Sequence, residues 1–202
     1  MLGMILSNKN NIVSIITFKS KNKKTGDMAQ IWILRSDIDP VEAIKQNLDD
    51  LICFDCIHRL NRSCYVNVGQ APLQVYKTYK KGLYESLDLE KLSNEIKNKT
   101  VRFGAYGEPV LLPFFIVKHI IKNCISYTGY THQWKNPKYK KYAKLFMASI
   151  DSEKQLQETL KLGLRSFRVS NNNNISDNEL ICPNVRNSKI QCNTCRLCDN
   201  QS

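Results

Sequence analysis

Four cysteines near the carboxyl end of the chain have the spacing of metal ligands. Cys192, Cys195 and Cys198 follow one another with two residues between each pair, and Cys182 stands before Pro183 in the same segment. Closely spaced thiolates and a cysteine–proline pair are the elements of a bacterial ferredoxin cluster site, although there the cysteine–proline pair comes last. Four thiolates also form a closed zinc site. The spacing therefore predicts an iron–sulfur cluster or a zinc ion, and the remaining alternative is no metal.

Three further cysteines, Cys53, Cys56 and Cys64, form a second group. Two thiolates separated by two residues can bind one metal because the turn between them brings both sulfurs to one side, and the third can complete three ligands. The alternative is a trio of small buried apolar residues. His58 can be a fourth ligand, which would favour zinc, or an ordinary surface or second-shell group.

The composition indicates one globular domain, with 42% hydrophobic and 24% charged residues in a chain of 202. We divide it into an amino-terminal β extension and helix (1–50), an α/β core with the first cysteine group (51–170) and a cysteine-rich carboxyl segment (171–202). The short apolar amino terminus predicts neither a signal peptide nor a membrane span, and we expect a soluble cytoplasmic protein. Disulfides are rare in that compartment, which favours metal binding by the thiols.

The formal charge of +12 favours a nucleic acid, an anionic membrane surface or a phosphorylated substrate as partner. An alternative explanation of the charge is an A+T-rich genome, which encodes many lysines and asparagines without selection for any ligand. A basic stretch interleaved with Tyr139 and Tyr142 suits a phosphate-bearing partner, but an isolated charged helix face has the same pattern. Its lysines are Lys135, Lys138, Lys140, Lys141 and Lys144.

The order of apolar segments predicts an α/β fold. β-branched and apolar runs predict strands at 12–18, 30–36, 101–106, 125–130, 145–150 and 164–169, and 3.6-residue periodicity predicts helices at 40–49, 72–82, 87–96, 111–124 and 153–162. Strands that alternate with helices pair in parallel with right-handed crossovers. A site in such a sheet lies at the carboxyl ends of its strands, here 104–109, 128–134, 149–152 and 168–170.

One of these strand ends, 127–134, is rich in polar and aromatic residues. His132 there can act as a general acid or base, and Tyr130 or Trp134 can stack on a base or an adenine. We therefore predict His132 and Tyr130 as catalytic residues. The alternative is a glycine-centred loop with ordinary aromatic anchoring. Hydrolase motifs, phosphate-binding glycine loops and zinc-protease motifs are absent from the sequence.

A cysteine trio, a helix, a strand that ends in Gly107-Glu108-Pro109 and further β/α units including Ser149 and Asp151 resemble a shortened radical S-adenosylmethionine enzyme with an auxiliary carboxyl-terminal cluster. The resemblance covers residues 50–198 and implies a partial (β/α) barrel with a mostly parallel sheet. It also implies that the trio holds a [4Fe–4S] cluster whose open iron chelates S-adenosylmethionine. The implied cofactor-binding residues are Gly104, Gly107, Glu108, Pro109, Ser149 and Asp151.

The sequence departs from that family in its cysteine spacing, which is C-x2-C-x7-C in place of C-x3-C-x2-C, and in Tyr106, which replaces a glycine. Segments 64–69, 104–109 and 127–134 and the last cysteines are also similar to a set of uncharacterised bacteriophage proteins, which implies a phage protein in the host cytoplasm. The resulting hypothesis is an iron–sulfur enzyme with one or two [4Fe–4S] clusters, S-adenosylmethionine and an unidentified small or macromolecular substrate. The alternative is a zinc-stabilised nucleic-acid-binding protein without catalysis.

Overall fold

A computed structural model of the chain describes residues 1–170 and 175–199. The strands are β1 Gly3–Lys9, β2 Ile12–Thr17, β3 Ala29–Arg35, β4 Glu85–Ser86, β5 Thr100–Tyr106, β6 Ser126–Thr131, β7 Met147–Ile150 and β8 Ser166–Arg168. The helices are α1 Pro40–Lys45, α2 Asp50–Cys53, α3 Ile57–Leu60, α4 Ala71–Lys80, α5 Leu89–Ile96, α6 Phe114–Asn123, α7 Lys140–Ala143, α8 Glu153–Lys161, α9 Pro183–Arg186 and α10 Cys192–Cys195. None of the helices in these two ranges combines the length and the apolar character that crossing a membrane requires.

All eight strands belong to one open sheet in the order β4-β1-β2-β3-β5-β6-β7-β8. β2 is antiparallel to β1 and to β3, and every other neighbouring pair is parallel. The predicted α/β class with a mostly parallel sheet is therefore confirmed. β3 pairs directly with β5, so residues 1–50 and 51–170 share this sheet.

The amino-terminal strand β1 was not predicted, because its apolar run is short. It forms a hairpin with β2 through Asn10 and Asn11, whose φ angles are 54° and 60°. Two-residue hairpin turns require this left-handed conformation, and asparagine adopts it more readily than most residues. The hairpin places β2 and β3, which are buried along most of their length, in the middle of the sheet.

Two amphipathic helices cover the parallel half of the sheet. Leu92 and Ile96 of α5 and Ile116 and Ile120 of α6 are at most 1% exposed, and Phe103 of β5 is fully buried. Complete burial of such a side chain stabilises the fold by roughly 2 kcal/mol. This packing fixes the positions of β5 and β6, whose carboxyl ends carry the candidate site.

Candidate functional site

The carboxyl ends of β5, β6 and β7 bring together three residues from distant parts of the chain. Glu108 follows β5, His132 follows β6 and Asp151 follows β7. His132 Nδ1 lies 3.2 Å from Glu108 Oε1, and His132 Nε2 lies 4.0 Å from Asp151 Oδ1. Neighbouring parallel strands end at the same edge of a sheet, which is why these positions meet. The structure thus brings together three of the residues predicted at the strand ends, and their function stays a prediction.

Glu108 is buried, with 5% of its surface exposed, and both of its oxygens accept hydrogen bonds. Thr131 Oγ1 donates to Oε2 at 2.7 Å, and the backbone N–H of His132 donates to Oε1 at 2.9 Å. His132 Nδ1 also lies within hydrogen-bond distance of Oε1. The carboxylate thus positions the turn after β6, and its contact with a cofactor stays a prediction.

The turn around Gly104 and Gly107 is shaped by packing within the chain. Both glycines have positive φ angles, of 66° and 76°. A Cβ atom on Gly107 would lie 2.7 Å from the carbonyl oxygen of Ile33, and one on Gly104 would lie 2.9 Å from the carbonyl oxygen of Gly107. Pro109, which is buried, begins a 3-10 turn. These glycines therefore allow close backbone packing, and their predicted contact with a cofactor remains a prediction.

The first cysteine group lies beside this turn. Glu108 N–H donates to the carbonyl oxygen of Ile52 at 2.8 Å, which connects the turn to α2 and Cys53. Burial raises the pKa of the Cys53 thiol, and the charges of Asp49, Cys56 and Glu108 raise it further. Burial also raises the pKa of Cys64, with a further contribution from Cys56. These mutual influences show that the three thiols share one environment.

Cys56 forms a pair with His132, and the distance from Cys56 Sγ to His132 Nε2 is 3.8 Å. Burial raises the pKa of Cys56, but the hydrogen bond and charge of His132 outweigh it and lower the pKa. Burial lowers the pKa of His132, but Cys56 and Glu108 outweigh it and raise the pKa to about 10. The pair therefore favours a thiolate beside an imidazolium. A thiolate is the form that binds metals and acts as a nucleophile.

The hydroxyl of Tyr106 is buried and has no hydrogen-bond partner within the part of the chain that the structure describes. Burial raises the pKa of Tyr106, and the charges of Cys53, Asp49 and Cys64 add to that increase. A buried polar group normally has a partner, because leaving it without one costs about 1–3 kcal/mol. Tyr106 thus keeps an unused hydrogen-bonding group beside the trio.

His58 of α3 completes the polar surroundings of the trio. Its Nε2 lies 3.0 Å from Asp151 Oδ1, and its Nδ1 lies 2.9 Å from Ser63 Oγ. The side chain is 20% exposed. The sequence indicates His58 as a candidate metal ligand, but its contact with Asp151 was not predicted because the two residues are 93 positions apart.

Asp55 and Gln133 are site residues that the sequence analysis missed. Gln133 Nε2 donates to Asp55 Oδ1 at 3.0 Å, which connects the cysteine turn with the segment after β6. Both residues are direct neighbours in sequence of predicted site residues, Cys56 and His132. Their position next to predicted site residues is the feature of the sequence from which Asp55 and Gln133 could have been predicted.

The carboxyl-terminal cysteines also share one environment. Burial raises the pKa of Cys198, and Cys182 and Cys195 raise it further. Burial likewise raises the pKa of Cys192, to which Cys182 and Cys198 contribute. Backbone N–H groups at 192 and 193 donate to the carbonyl oxygens at 24 and 25, which holds this segment against the loop before β3.

Tyr130 belongs to this second group. Burial raises the pKa of its hydroxyl, with further contributions from the charge and hydrogen bond of Cys198. Its ring packs against Phe167 with a centroid distance of 5.0 Å. Tyr130 and His132 were predicted as catalytic residues of one site, and the structure places them beside different cysteine groups. Their catalytic roles stay predictions.

Ser149 and Trp134 occupy the buried part of this region. Trp134 Nε1 donates to the carbonyl oxygen of Ser149 at 3.1 Å, and the tryptophan is only 6% exposed. It packs with buried Ala148 and Leu156. This arrangement favours the alternative of ordinary aromatic anchoring for Trp134. The predicted cofactor contact of Ser149 stays a prediction.

The basic stretch after Trp134 lines an open groove. Phe114 and Leu145 form its apolar part, and the ammonium group of Lys141 lies 4.5 Å from the centre of the Phe114 ring. The remaining lysines of the groove are Lys138, Lys140 and Lys144. All four lysines are exposed. The groove therefore combines positive charge with an aromatic surface.

Comparison with protein-family models, with curated proteins and with solved structures finds no match to this chain.

Proposed function

We propose that the protein is an iron–sulfur enzyme of the radical S-adenosylmethionine type, with a [4Fe–4S] cluster bound by Cys53, Cys56 and Cys64. The observation that carries the proposal is the unpaired hydroxyl of Tyr106 beside these thiols. The inorganic sulfides of a cluster are acceptors for such a donor, and hydrogen bonds to cluster sulfur are among the contacts that tune its potential. The thiols also lie at the carboxyl ends of parallel strands, where sites of α/β proteins form.

The proposed architecture is a partial (β/α) barrel. Four parallel strands, β5 to β8, follow one another in the sheet, and α6 and α8 connect two of the neighbouring pairs. This arrangement supports a β/α repeat, in which strand-end loops supply the reacting groups.

A bound cluster supplies a single electron, obtained from an external reductant, for the reductive cleavage of S-adenosylmethionine. The residues of this chain would hold the cluster at the protein surface, since Cys53 and Cys56 are half-buried and Cys64 is exposed. Glu108 fixes the backbone and ring of His132. His132 in turn stabilises the Cys56 thiolate.

A second cluster on Cys182, Cys192, Cys195 and Cys198 is the counterpart of an auxiliary centre. Four thiolates leave no open position at the metal, so we assign this centre to structural support or electron relay. Arg102 interacts with the surroundings of both groups. Its Nη2 donates to the hydroxyl of Tyr65, the neighbour of Cys64, at 2.6 Å, and its charge acts on Cys192.

Anaerobic purification with quantitation of iron, acid-labile sulfide and zinc tests the proposal. We expect about eight iron and eight sulfide per chain for two clusters, and a loss of about four of each in Cys56→Ser. Cys124→Ser is the matched control, because Cys124 lies at the end of α6 outside both groups and should leave the cluster content unchanged. Protein that contains zinc without sulfide would contradict the proposal.

The activity itself is tested by adding S-adenosylmethionine and dithionite to the anaerobic protein. We expect release of 5′-deoxyadenosine by the wild type and by Cys124→Ser, and none by Cys56→Ser. Iron and sulfide without this product in the wild type would leave an iron–sulfur protein of another kind.

The lysine-lined groove favours a second candidate function, nucleic-acid binding by a zinc-stabilised protein. Exposed lysines beside a half-buried aromatic ring suit a phosphate backbone and its bases. In this function the cysteines hold zinc and the site has no catalytic role. Quantitation of iron, sulfide and zinc distinguishes the two functions, because nucleic-acid binding by a zinc protein predicts zinc without sulfide.

A further inference from the structure

A group of nitrogen and oxygen atoms beside the cysteine trio has the arrangement of a metal site. His58, His132 and Asp151 each offer one ligand atom, and all three atoms lie within 4.8 Å of one another. The distances to Asp151 Oδ1 are 3.0 Å from His58 Nε2 and 4.0 Å from His132 Nε2. The side chains are 20–23% exposed, so an ion can reach them from solvent.

The second nitrogen of each imidazole is held by a partner outside the group. His58 Nδ1 lies 2.9 Å from Ser63 Oγ, and His132 Nδ1 lies 3.2 Å from Glu108 Oε1. Histidines that bind metals almost always use their other ring nitrogen in this way, which fixes the tautomer and the direction of the ring. Both rings thus present Nε2 to the same space.

The distances suit an ion of the size of zinc or ferrous iron. Metal–nitrogen and metal–oxygen bonds of about 2.0–2.2 Å in a tetrahedron place neighbouring ligand atoms about 3.3–3.6 Å apart. The observed 3.0 and 4.0 Å lie on either side of that range. Small side-chain rotations are therefore enough to bring the three atoms onto one ion.

We propose that His58, His132 and Asp151 form a mononuclear site for a divalent first-row transition metal. Two histidines and one carboxylate leave coordination positions open, as in non-haem iron sites. Cys56 Sγ, 3.8 Å from His132 Nε2, borders the site and places it next to the trio. Binding of the ion releases the proton from His132 Nε2, so the ion takes the place of the imidazolium that pairs with Cys56 in the metal-free protein. The proposal goes beyond the iron–sulfur function, because its three ligands are atoms that the proposed clusters do not use.

Cobalt binding tests the site. The chelator-treated full chain is titrated with Co²⁺ under anaerobic conditions, and bound ions are counted by equilibrium dialysis. Thiols also bind Co²⁺, so the informative quantity is the difference between variants. We expect His58→Ala and Asp151→Asn to bind one ion per chain fewer than the wild type. His119→Ala should match the wild type, because His119 bonds to Ser93 away from the site.

Ser63→Ala provides a milder variant that removes only the hydrogen bond to His58. We expect its affinity for the same ion to fall about tenfold, the effect of losing such a partner in known metal sites. An unchanged affinity in Ser63→Ala together with equal stoichiometry in all variants would overturn the proposal and leave His58, His132 and Asp151 as an ion-pair network.

Iron and sulfide content distinguishes the failure of this site from the failure of the proposed function. Anaerobically purified Asp151→Asn should keep the sulfide of the wild type and lose only the additional ion. If sulfide is absent from the wild type while the cobalt difference persists, the iron–sulfur function fails and the mononuclear site stands. If the wild type contains the full amount of sulfide and all variants bind the same number of cobalt ions, the iron–sulfur function stands and the mononuclear site fails.

Discussion

Glu108 carries three hydrogen bonds on one buried carboxylate, and all three lead to the segment after β6. This residue therefore determines where His132 lies. In a buried position hydrogen bonds to a charged acceptor contribute about 1.5–3 kcal/mol each, so the loss of one is measurable.

Replacement of Glu108 by glutamine tests this positioning role. Glutamine has the same shape as glutamate, but one of its two terminal groups is NH2, which donates hydrogen bonds. Either the Thr131 hydroxyl or the His132 backbone N–H therefore loses its acceptor. We expect the free energy of unfolding of the metal-free protein, measured in urea at pH 7, to fall by about 2 kcal/mol. Glu90→Gln on the exposed side of α5 is the control and should change it by less than about 0.5 kcal/mol. Equal stability of the two variants would contradict the role.

At the scale of elements, the short helices α2 and α3 and the turns beside them carry the cysteine trio and need an anchor. Arg59 of α3 and Asp49 before α2 form an ion pair, with Nε and Oδ1 3.1 Å apart, although their alignment is not that of a hydrogen bond. Their side chains are 12% and 4% exposed. The pair joins the two ends of the cysteine turn.

Arg59→Met should leave Asp49 as a buried charge without its partner. We expect a loss of about 3 kcal/mol in the free energy of unfolding, since breaking one side of a buried pair has effects of this size. Arg62→Met is the matched control, because exposed Arg62 donates to the side chain of Asn47 and has no ion pair among the described residues. Thermal and urea unfolding of both variants measure the difference, and a change below about 1 kcal/mol in Arg59→Met would show that the pair is not the anchor.

The elements of the parallel half were predictable because each has a buried apolar face. The expected strand at 101–106 is Thr100–Tyr106, and the expected helix at 153–162 is Glu153–Lys161. Asp39 accepts hydrogen bonds from the first turn of α1, as a capping residue does. β1 was missed because its apolar run is short, although its partner β2 is the next strand in the chain. The two-residue β4 was missed because it carries no pattern of its own and pairs with β1, which is distant in sequence.

At the scale of the whole molecule, the composition of the site was only partly predictable. Residue types and strand ends indicated Glu108, His132 and Asp151, but not that His58 joins them. Tyr130 and Thr131 are neighbours in β6, and successive side chains of a strand point to opposite faces. Tyr130 therefore lies beside Cys198 while Thr131 bonds to Glu108. Which of the two cysteine groups each residue contacts depends on how distant segments pack against β6. The spacing of residues along the chain does not determine that packing.

The net charge of +12 is spread over the molecule, and the groove of Lys138, Lys140, Lys141 and Lys144 is one basic surface among several. α4 and the residue after it carry another, with exposed Lys77, Lys80 and Lys81. A nucleic acid that binds by charge alone contacts both surfaces equally. Binding of a nucleic acid in the groove depends on the lysines of the groove and on the ring of Phe114.

Two triple variants of equal net charge separate these possibilities. Lys138, Lys140 and Lys141 are changed to glutamine in one, and Lys77, Lys80 and Lys81 in the other. If the groove binds single-stranded nucleic acid, we expect the slope of log K against log salt to decrease in magnitude by about 2 in the first variant only, since each phosphate contact contributes about 0.7. Fluorescence anisotropy with a labelled oligonucleotide over a salt series measures both slopes. Equal decreases in the two variants would mean that overall charge, and not the groove, determines the binding.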